Sequence, residues 1–331
     1  MKTQRWLAAI AIFLTMGVIM LGAYTRLTDA GLGCPDWPGC YGFLKVPQQD
    51  HHVAQAEQAF PERPLVPHKA WNEMTHRYFA GSLGLLIATI FLSSWWSTKR
   101  PQLLPSALLL LVVFQAALGM WTVTLNLLPL VVMGHLLGGF SILSLLALYW
   151  LQQQPERVRA TELASLKPLA LAALIMLVVQ IALGGWTAAN YAALACIDLP
   201  LCEAGWQSRL DVSDAFSLHL GHADYEYGVM SAEARQTVHI FHRLGALLTL
   251  SIVGWFLWKL SRRVTQPSLR RLTYAAITLL VLQFSLGVMN VVLHLPLLNA
   301  VAHNFVAANL LMLLVLLYVQ LPAVYSRKEA V

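Results

Sequence analysis

Long apolar runs, each bounded by polar or charged residues, recur along the whole chain. Each run is about 20 residues long, the length that an α-helix needs to cross roughly 30 Å of hydrocarbon. The runs are continuously apolar rather than alternating, so they predict membrane helices and not a β-barrel. The predicted spans are residues 6–25, 68–97, 103–124, 128–151, 168–189, 233–259, 271–292 and 297–321. The pattern predicts an all-α integral membrane protein with eight transmembrane helices.

The first apolar run invites a second interpretation, because it follows Lys2 and Arg5 near the N-terminus in the manner of a secretory signal peptide. The run is longer than a typical signal core and lacks an obvious small-residue cleavage site. We therefore interpret residues 6–25 as a retained helix.

The polar connections differ in length and in charge. The two long ones, residues 26–67 and 190–232, each carry a pair of cysteines, whereas the connections between spans three and four and between spans seven and eight contain no Lys or Arg. The positive-inside rule predicts cytoplasmic termini, cysteine loops in the periplasm and a location in the bacterial inner membrane. The basic residues used for this prediction are Lys99, Arg100, Arg157, Arg159, Lys167, Lys259, Arg262, Arg263, Arg270 and Arg271.

Composition agrees with a membrane location. Hydrophobic residues make up 58% of the 331 residues and charged residues only 11%, whereas about one quarter of a soluble domain is charged. The net charge of +6 could suggest a nucleic-acid partner, but the basic residues cluster in short loops between apolar runs. This clustering indicates membrane topology, with lipid and not nucleic acid as the surrounding partner.

The two halves of the sequence resemble each other. The block from Leu21 through both first-loop cysteines matches the block from Leu183 through both second-loop cysteines at an offset of 162. Residues 115–121 match residues 283–289 at an offset of 168. We predict a duplicated four-helix unit, with two pseudo-symmetric bundles related by an axis along the membrane normal. The predicted division is an N-terminal half (1–152), a cytoplasmic linker (153–166) and a C-terminal half (167–331).

The repeat pairs four histidines. His76 on span two goes with His135 on span four, and His242 on span six goes with His303 on span eight. All four lie roughly 9–13 Å inside the outer ends of their helices, so each pair is level. Two facing imidazoles in a helix bundle are what bis-histidine ligation of a haem iron requires. The alternative is that each histidine only forms an interhelical hydrogen bond. Zinc is less attractive than haem iron, because zinc needs three or four protein ligands and no carboxylate or cysteine is spaced to complete such a site in the second half.

The two halves differ three residues before the span-two and span-six histidines. That position is Glu73 in the first half and His239 in the second. On a helix Glu73 shares a face with His76, where a buried carboxylate could transfer a proton or stabilise developing positive charge. A structural hydrogen bond across the bundle is the alternative. Burying an unpaired carboxylate at membrane depth is costly, which favours a catalytic role.

Three arginines lie near the outer ends of the spans. Arg77 and Arg243 directly follow candidate iron ligands, and Arg26 ends the first span. Such guanidinium groups could pair with haem propionates. The equally favoured alternative is snorkelling of these side chains to lipid headgroups or water.

The cysteine pairs raise a separate question. Pro35, Pro38 and Gly39 suggest a tight turn that could bring Cys34 and Cys40 together. A structural disulfide is the preferred interpretation of the other pair, Cys196 and Cys202. For the first pair a redox exchange with an external thiol remains open, and metal binding with His51 and His52 is a weak third option.

Together these residues resemble the haem A synthase family, in its cysteine-containing bacterial form, over essentially the entire chain. The features that carry the resemblance are Glu73-x-x-His76-Arg77, His135, His242-Arg243, His303, the Cys-Pro-x-Trp-Pro-x-Cys pattern at residues 34–40 and the duplicated eight-helix layout.

The resemblance implies that substrate haem O binds between His76 and His135, with Glu73 as a catalytic carboxylate. It implies a permanent haem b between His242 and His303. The implied reaction oxidises the C8 methyl group of haem O, through an alcohol and a gem-diol that loses water, to the formyl group of haem A.

The family also supports a Cys34–Cys40 disulfide, whereas the Cys196–Cys202 pair occurs in only some members. The implied partners are haem O synthase and cytochrome oxidase assembly factors, with the electron donor unidentified. Gly134, Gly138 and Gly139 permit close helix packing, within one chain or in a homo-oligomer.

Two other classes remain alternatives at this point. A di-haem b electron carrier between quinol and an outer partner would explain the four histidines equally well, but it would not explain why Glu73 and His239 differ. A transporter or haem exporter would explain the helices and the repeat, but it gives the matched histidine pairs no purpose.

Overall fold

The computed structural model describes residues 2–154 and 161–322, and every element of regular structure longer than a single bridge in these ranges is helical. Eight helices there are long and apolar enough to cross a membrane, which confirms the predicted fold class. The helices are α1 (Lys2–Leu27), α2 (Asp50–Ala59), α3 (Pro67–Thr98), α4 (Leu103–Thr124), α5 (Pro129–Gln152), α6 (Lys167–Ala189), α7 (Val212–Ala215), α8 (Ala232–Ser261), α9 (Pro267–Val292) and α10 (Leu297–Gln320). Short 3-10 helices cover Thr161–Leu166 and Trp206–Arg209.

Local sequence explains where several helices begin and turn. Helices α3, α5, α6 and α9 have proline in the first helical turn, where the missing amide has no helical partner to lose. The turns of the α4–α5 and α9–α10 hairpins have the same left-handed backbone conformation. Asn126 and Leu127 in the first turn and His294 and Leu295 in the second all have φ between 46° and 63°. The two turns are 168 residues apart, which is the offset of the sequence repeat.

The transmembrane helices form two closed rings of contacts. In the first half α1 contacts α3, α3 contacts α4, α4 contacts α5 and α5 contacts α1; in the second half α6, α8, α9 and α10 repeat this order. The rings meet through α1 and α5 on one side and α6 and α10 on the other. Helix α10 is the most enclosed span, because 67% of its most apolar 18-residue stretch is buried, against 17–33% for the other spans. These contacts support the predicted pseudo-symmetric bundles and domain division, which stay predictions.

The two long connections contact each other. We call the face of the molecule that they share the loop face. Arg63 of the first connection forms ion pairs with Asp224 (2.7 Å) and Glu226 (3.0 Å) of the second. The basic linker residues Arg157 and Arg159, on which part of the topology prediction rests, lie outside the described residues.

The first connection is more ordered than the polar loop that its sequence suggested. It contains α2, and Ala56 of that helix packs against a buried cluster of Cys34, Cys40, Tyr41 and Met74. Both cysteine pairs are joined as disulfides, Cys34–Cys40 and Cys196–Cys202. The connection is therefore a small folded cap on the first half.

Part of the second connection crosses onto the first half. We call residues 222–230 the strap. Asn126, in the α4–α5 turn, donates from its side-chain amide to the Ala223 carbonyl (2.8 Å) and accepts from the Tyr225 amide (3.1 Å). Tyr225 is buried there against Leu32 and Leu127. The loop face of the first half is thus completed by residues of the second.

Candidate functional site

The two histidines of the first half face each other between α3 and α5. The ring centroids of His76 and His135 are 6.4 Å apart and their planes are inclined by 76°. A metal–imidazole bond of about 2 Å on each side, with about 1 Å from each nitrogen to its ring centroid, gives a centroid separation of about 6 Å. The observed spacing therefore fits bis-histidine ligation of one iron.

The histidines of the second half occupy the matching helices, with His242 on α8 and His303 on α10. All four histidines are half-buried, in keeping with a crevice between helices. The structure thus brings His76 and His135 together, and it places His242 and His303 on the matching helices of the second half.

Each of the four imidazoles lies against a glycine of a neighbouring helix. A β-carbon built on Gly22 would lie 2.9 Å from Cε1 of His76, and one built on Gly184 would lie 3.1 Å from Cε1 of His242. Gly119 and Gly287 have the same relation, at 3.2 Å, to His135 and His303. At these distances the ring or the helix would have to move. The glycines make the room that the imidazoles occupy.

The sequence interpretation did not assign these glycines a function, although the repeat could have identified them. Gly22 and Gly184 lie in the block matched at an offset of 162, and Gly119 and Gly287 lie in the block matched at 168. Glycine is unfavourable inside a helix, by about 1 kcal/mol relative to alanine. Its recurrence at equivalent positions therefore signals a close approach.

Glutamines hold three of the four histidines. Gln115 donates to the His135 carbonyl (2.5 Å), and Gln180 donates to the His242 carbonyl (2.9 Å) while lying 3.0 Å from its Nδ1. The Gln283 amide lies 3.2–3.3 Å from the ring nitrogens of His303. Gln180 and Gln283 reach the imidazole rings and so fix the orientation of those rings, whereas Gln115 holds only the main chain of His135.

Glu73 is buried and bonded to the first cysteine loop. Its Oε2 accepts a hydrogen bond from the Cys34 amide (2.7 Å), and its Oε1 forms an ion pair with Arg77 one turn further along α3. The carboxylate thus has a structural hydrogen bond, but to the loop and not to a helix across the bundle. The carboxylate nevertheless stands one helical turn from His76.

The arginines contact the cysteine loops instead of standing free. Arg77 donates to the carbonyls of Asp36 (2.8 Å) and Gly39, besides its ion pair with Glu73. Arg243 donates to the carbonyls of Cys196 (2.6 Å), Asp198 (2.5 Å) and Leu201. Asp198 and Leu201 lie 162 residues after Asp36 and Gly39, so both halves use an arginine in the same way. The sequence interpretation did not include this contact, since it left these arginines with either haem propionates or snorkelling to lipid headgroups and water.

Arg26 links the two halves. Its guanidinium donates to the Ala188 carbonyl (2.7 Å) at the end of α6 and lies 4.0 Å from the centre of the Tyr191 ring. Asp29 is 3.7 Å away as a further charge partner. In this structure Arg26 stabilises the contact between the two rings of helices.

The second disulfide has its own acidic neighbour. One carboxylate oxygen of Glu203 accepts from the Ile197 amide (3.0 Å), and the other lies 2.8 Å from Sγ of Cys202. The Ile197 hydrogen bond lowers the pKa of Glu203 from its ordinary value. Among the described residues, Cys196, Cys202 and Glu203 form the one group with metal-ligand spacing, and its sulfurs are joined as a disulfide. Cys34 and Cys40 are likewise joined as a disulfide, which gives no support to the weak option of a metal site formed with His51 and His52.

Replacing Arg243 with alanine should destabilise the second cysteine loop. Three carbonyls would lose a buried charged donor, which should cost about 2–3 kcal/mol and lower the melting temperature by roughly 5 °C. Thermal unfolding and limited proteolysis of residues 190–231 measure the effect. Arg209→Ala, an exposed arginine of the same loop, is the matched control. Equal behaviour of the two variants would contradict the anchoring role.

Comparison with known proteins identifies the family. The family model COX15-CtaA, described as cytochrome oxidase assembly protein, matches residues 4–315. A protein named heme A synthase from Shewanella oneidensis is 51% identical over 313 residues, covering 94% of each chain. Proteins of that name from Mesorhizobium japonicum and Rickettsia bellii are each 26% identical, covering 90% and 95% of this chain and 85% and 96% of their own. The chain therefore belongs to the COX15-CtaA family of cytochrome oxidase assembly proteins.

Proposed function

We propose that this protein is a haem A synthase, a membrane oxidoreductase that converts the C8 methyl group of haem O to the formyl group of haem A. The name of its relatives supports this function, most strongly the relative that is 51% identical. The observation that carries the proposal is an asymmetry within a repeated frame. Both halves have the histidine pair and its glycines, but only the first has a carboxylate, Glu73, one turn from a ligand.

We assign the substrate to the first half. His76 and His135 would bind the iron of haem O from opposite faces, and Gly22 and Gly119 would leave the rings room to do so. Glu73 stands next to this pair with a buried negative charge, which suits it to stabilise developing positive charge or to hold a proton. The ion pair with Arg77 and the hydrogen bond from the Cys34 amide fix the orientation of the carboxylate.

We assign a resident haem b to the second half, where His242 and His303 would hold it. When bound, such a haem supplies one-electron redox chemistry. The chain's own contribution is positional, because Gln180 and Gln283 orient the imidazoles and Gly184 and Gly287 make room for them.

The same proposal covers location and partners. The cysteine loops would face the periplasm of a bacterial inner membrane, with both termini cytoplasmic, as the distribution of Lys and Arg predicts. A haem O synthase would supply the substrate, and the product would pass to cytochrome oxidase assembly, the process that names the family.

Haem extraction and mass analysis test the function directly. The protein is produced together with a source of haem O, and the extracted haems are compared with those from cells that lack the protein. A formyl-bearing haem A that appears only with the protein is expected. Haem b alone, with haem O unchanged, would instead favour the di-haem electron carrier.

Replacing Gly22 with alanine should impair the substrate site without unfolding the helix. The added methyl group would meet the imidazole of His76, whereas a methyl group at Gly17 on the same helix would meet nothing within 4 Å. We expect Gly22→Ala to lower haem A formation about tenfold or more, by displacing an iron ligand. Gly17→Ala should retain activity and slightly raise thermal stability. Full activity of Gly22→Ala would remove this glycine from the site.

A further inference from the structure

The segment between the second disulfide and the strap has an inverted distribution of apolar and polar side chains. Its large apolar residues point outward, with 39–66% of each side chain exposed. We call them the apolar rim: Leu210, Val212, Phe216, Leu218 and Leu220. The polar residues between them are mostly half-buried. A segment of a water-facing loop would show the opposite arrangement.

The polar groups of this segment satisfy one another on its inner side. The carboxylate of Asp214 accepts from Ser231 (2.7 Å) and lies 3.1 Å from the imidazole of His219. The Asp211 carboxylate caps α7 through the Asp214 amide (2.9 Å), and the Asp211 amide donates to Thr237 of α8 (2.9 Å). Internal pairing of polar groups beneath an apolar exterior is the arrangement that a hydrocarbon surrounding demands.

The segment is also held firmly against the protein. The indole of Trp186 on α6 donates to the Ala215 carbonyl (2.9 Å), and Ala215 is buried with Met230 and Val238. The apolar rim is therefore a fixed surface, presented by a segment anchored to α6 and α8.

The rim continues the lipid-facing surface of α8. The ring of Phe216 makes an edge contact with that of Phe241, at a centroid distance of 5.3 Å. Phe241, Leu244 and Leu248 are all exposed and lie on one face of α8, as lipid-facing residues of a transmembrane helix do. Phe241 is nine residues into α8, so it lies roughly 13 Å along the helix from its first residue. Phe216 thus packs beside a residue well inside the apolar helix, not beside its first turn.

We propose that the apolar rim inserts into the membrane leaflet on the side of the loop face, so that residues 210–220 form an interfacial anchor beside α8. Its ligand is the acyl region of phospholipid, and it contributes buried apolar area rather than charge attraction. Exposed apolar surface of this extent marks an interaction site, and its continuity with the α8 stripe favours lipid over a protein partner.

Spin labelling of the full-length protein in phospholipid nanodiscs tests the insertion. Nitroxide labels are placed at Leu218→Cys and Leu220→Cys, with Leu248→Cys on α8 as the lipid reference and Gln58→Cys on α2 as the water reference. The ratio of collisions with oxygen to collisions with a water-soluble nickel chelate is measured for each. We expect rim labels to resemble Leu248→Cys and to exceed Gln58→Cys by about threefold or more. Mass analysis verifies that both native disulfides are intact.

Two outcomes would overturn the proposal. A high nickel collision rate at the rim labels would make the rim a water-exposed surface. Exclusion of both reagents would mean that protein covers it, either a second copy of this chain or another partner. The unmodified protein provides an independent measurement, through a phospholipid with a photoreactive acyl chain. Cross-links on residues 244–248 without any on residues 210–220 would also contradict insertion.

Discussion

Glu73→Gln is expected to reduce haem A formation by at least about 100-fold while the protein keeps its bound b-type haem. The substitution removes the negative charge and the proton-holding capacity beside the proposed substrate pair. It retains an oxygen that can still accept the hydrogen bond from the Cys34 amide. The effect should therefore appear in haem A yield, measured by haem extraction, and only weakly in the folding of the loop.

The control for this experiment separates catalysis from anchoring. Glu57→Gln changes an exposed glutamate on α2 and should leave haem A formation unchanged. Disulfide content and melting temperature of Glu73→Gln report on the anchor formed with Arg77. If haem A continues to form at the normal rate in Glu73→Gln, the carboxylate is a structural anchor and has no part in the reaction.

The double variant His242→Ala and His303→Ala is expected to lose the resident haem, with the b-type absorbance per protein falling about tenfold or more. Both proposed ligands are then absent, and no other described histidine occupies an equivalent position in that half. The matched variant His76→Ala and His135→Ala should keep this spectrum and lose haem O binding. Absorbance spectra of the purified proteins distinguish the two cases.

Exposed histidines of the same helices or turns provide the controls. His68→Ala, at the start of α3, and His294→Ala, in the α9–α10 turn, should leave both haem content and haem A formation unchanged. An unaltered haem spectrum in the His242 and His303 double variant would refute the assignment of the resident haem to the second half.

The spans and the histidine pairs could be predicted from the sequence because each leaves a local or a repeated signal. A membrane helix must be apolar over its full length, so α1 and α10 are visible as composition alone. His76 and His242 became interpretable because duplication supplied a second copy of the same frame. The glycines beneath them belonged to the same repeated blocks, and only their distance to the rings showed what they do.

The loop contacts could not be predicted, because they depend on tertiary folding of segments with no periodic pattern. The loop partner of Glu73 is a backbone amide at position 34, and any residue type other than proline could have provided it. The α2 helix buries a single residue, Ala56, and so lacks an amphipathic stripe. Arg77 and Arg243 bind carbonyls, which carry no sequence signature.

The strap has a consequence for the order in which the protein is made. Asn126 and Arg63 leave the ribosome long before their partners in the strap, which lie 97 and 161–163 residues further along the chain. During synthesis the first four spans can enter the membrane while the loop face above them is still uncovered. That face closes only after α6 and the chain as far as residue 226 have been synthesised. Biogenesis of the first half therefore ends with the second, and a chain stopped at the linker would keep Asn126 and Arg63 without these partners.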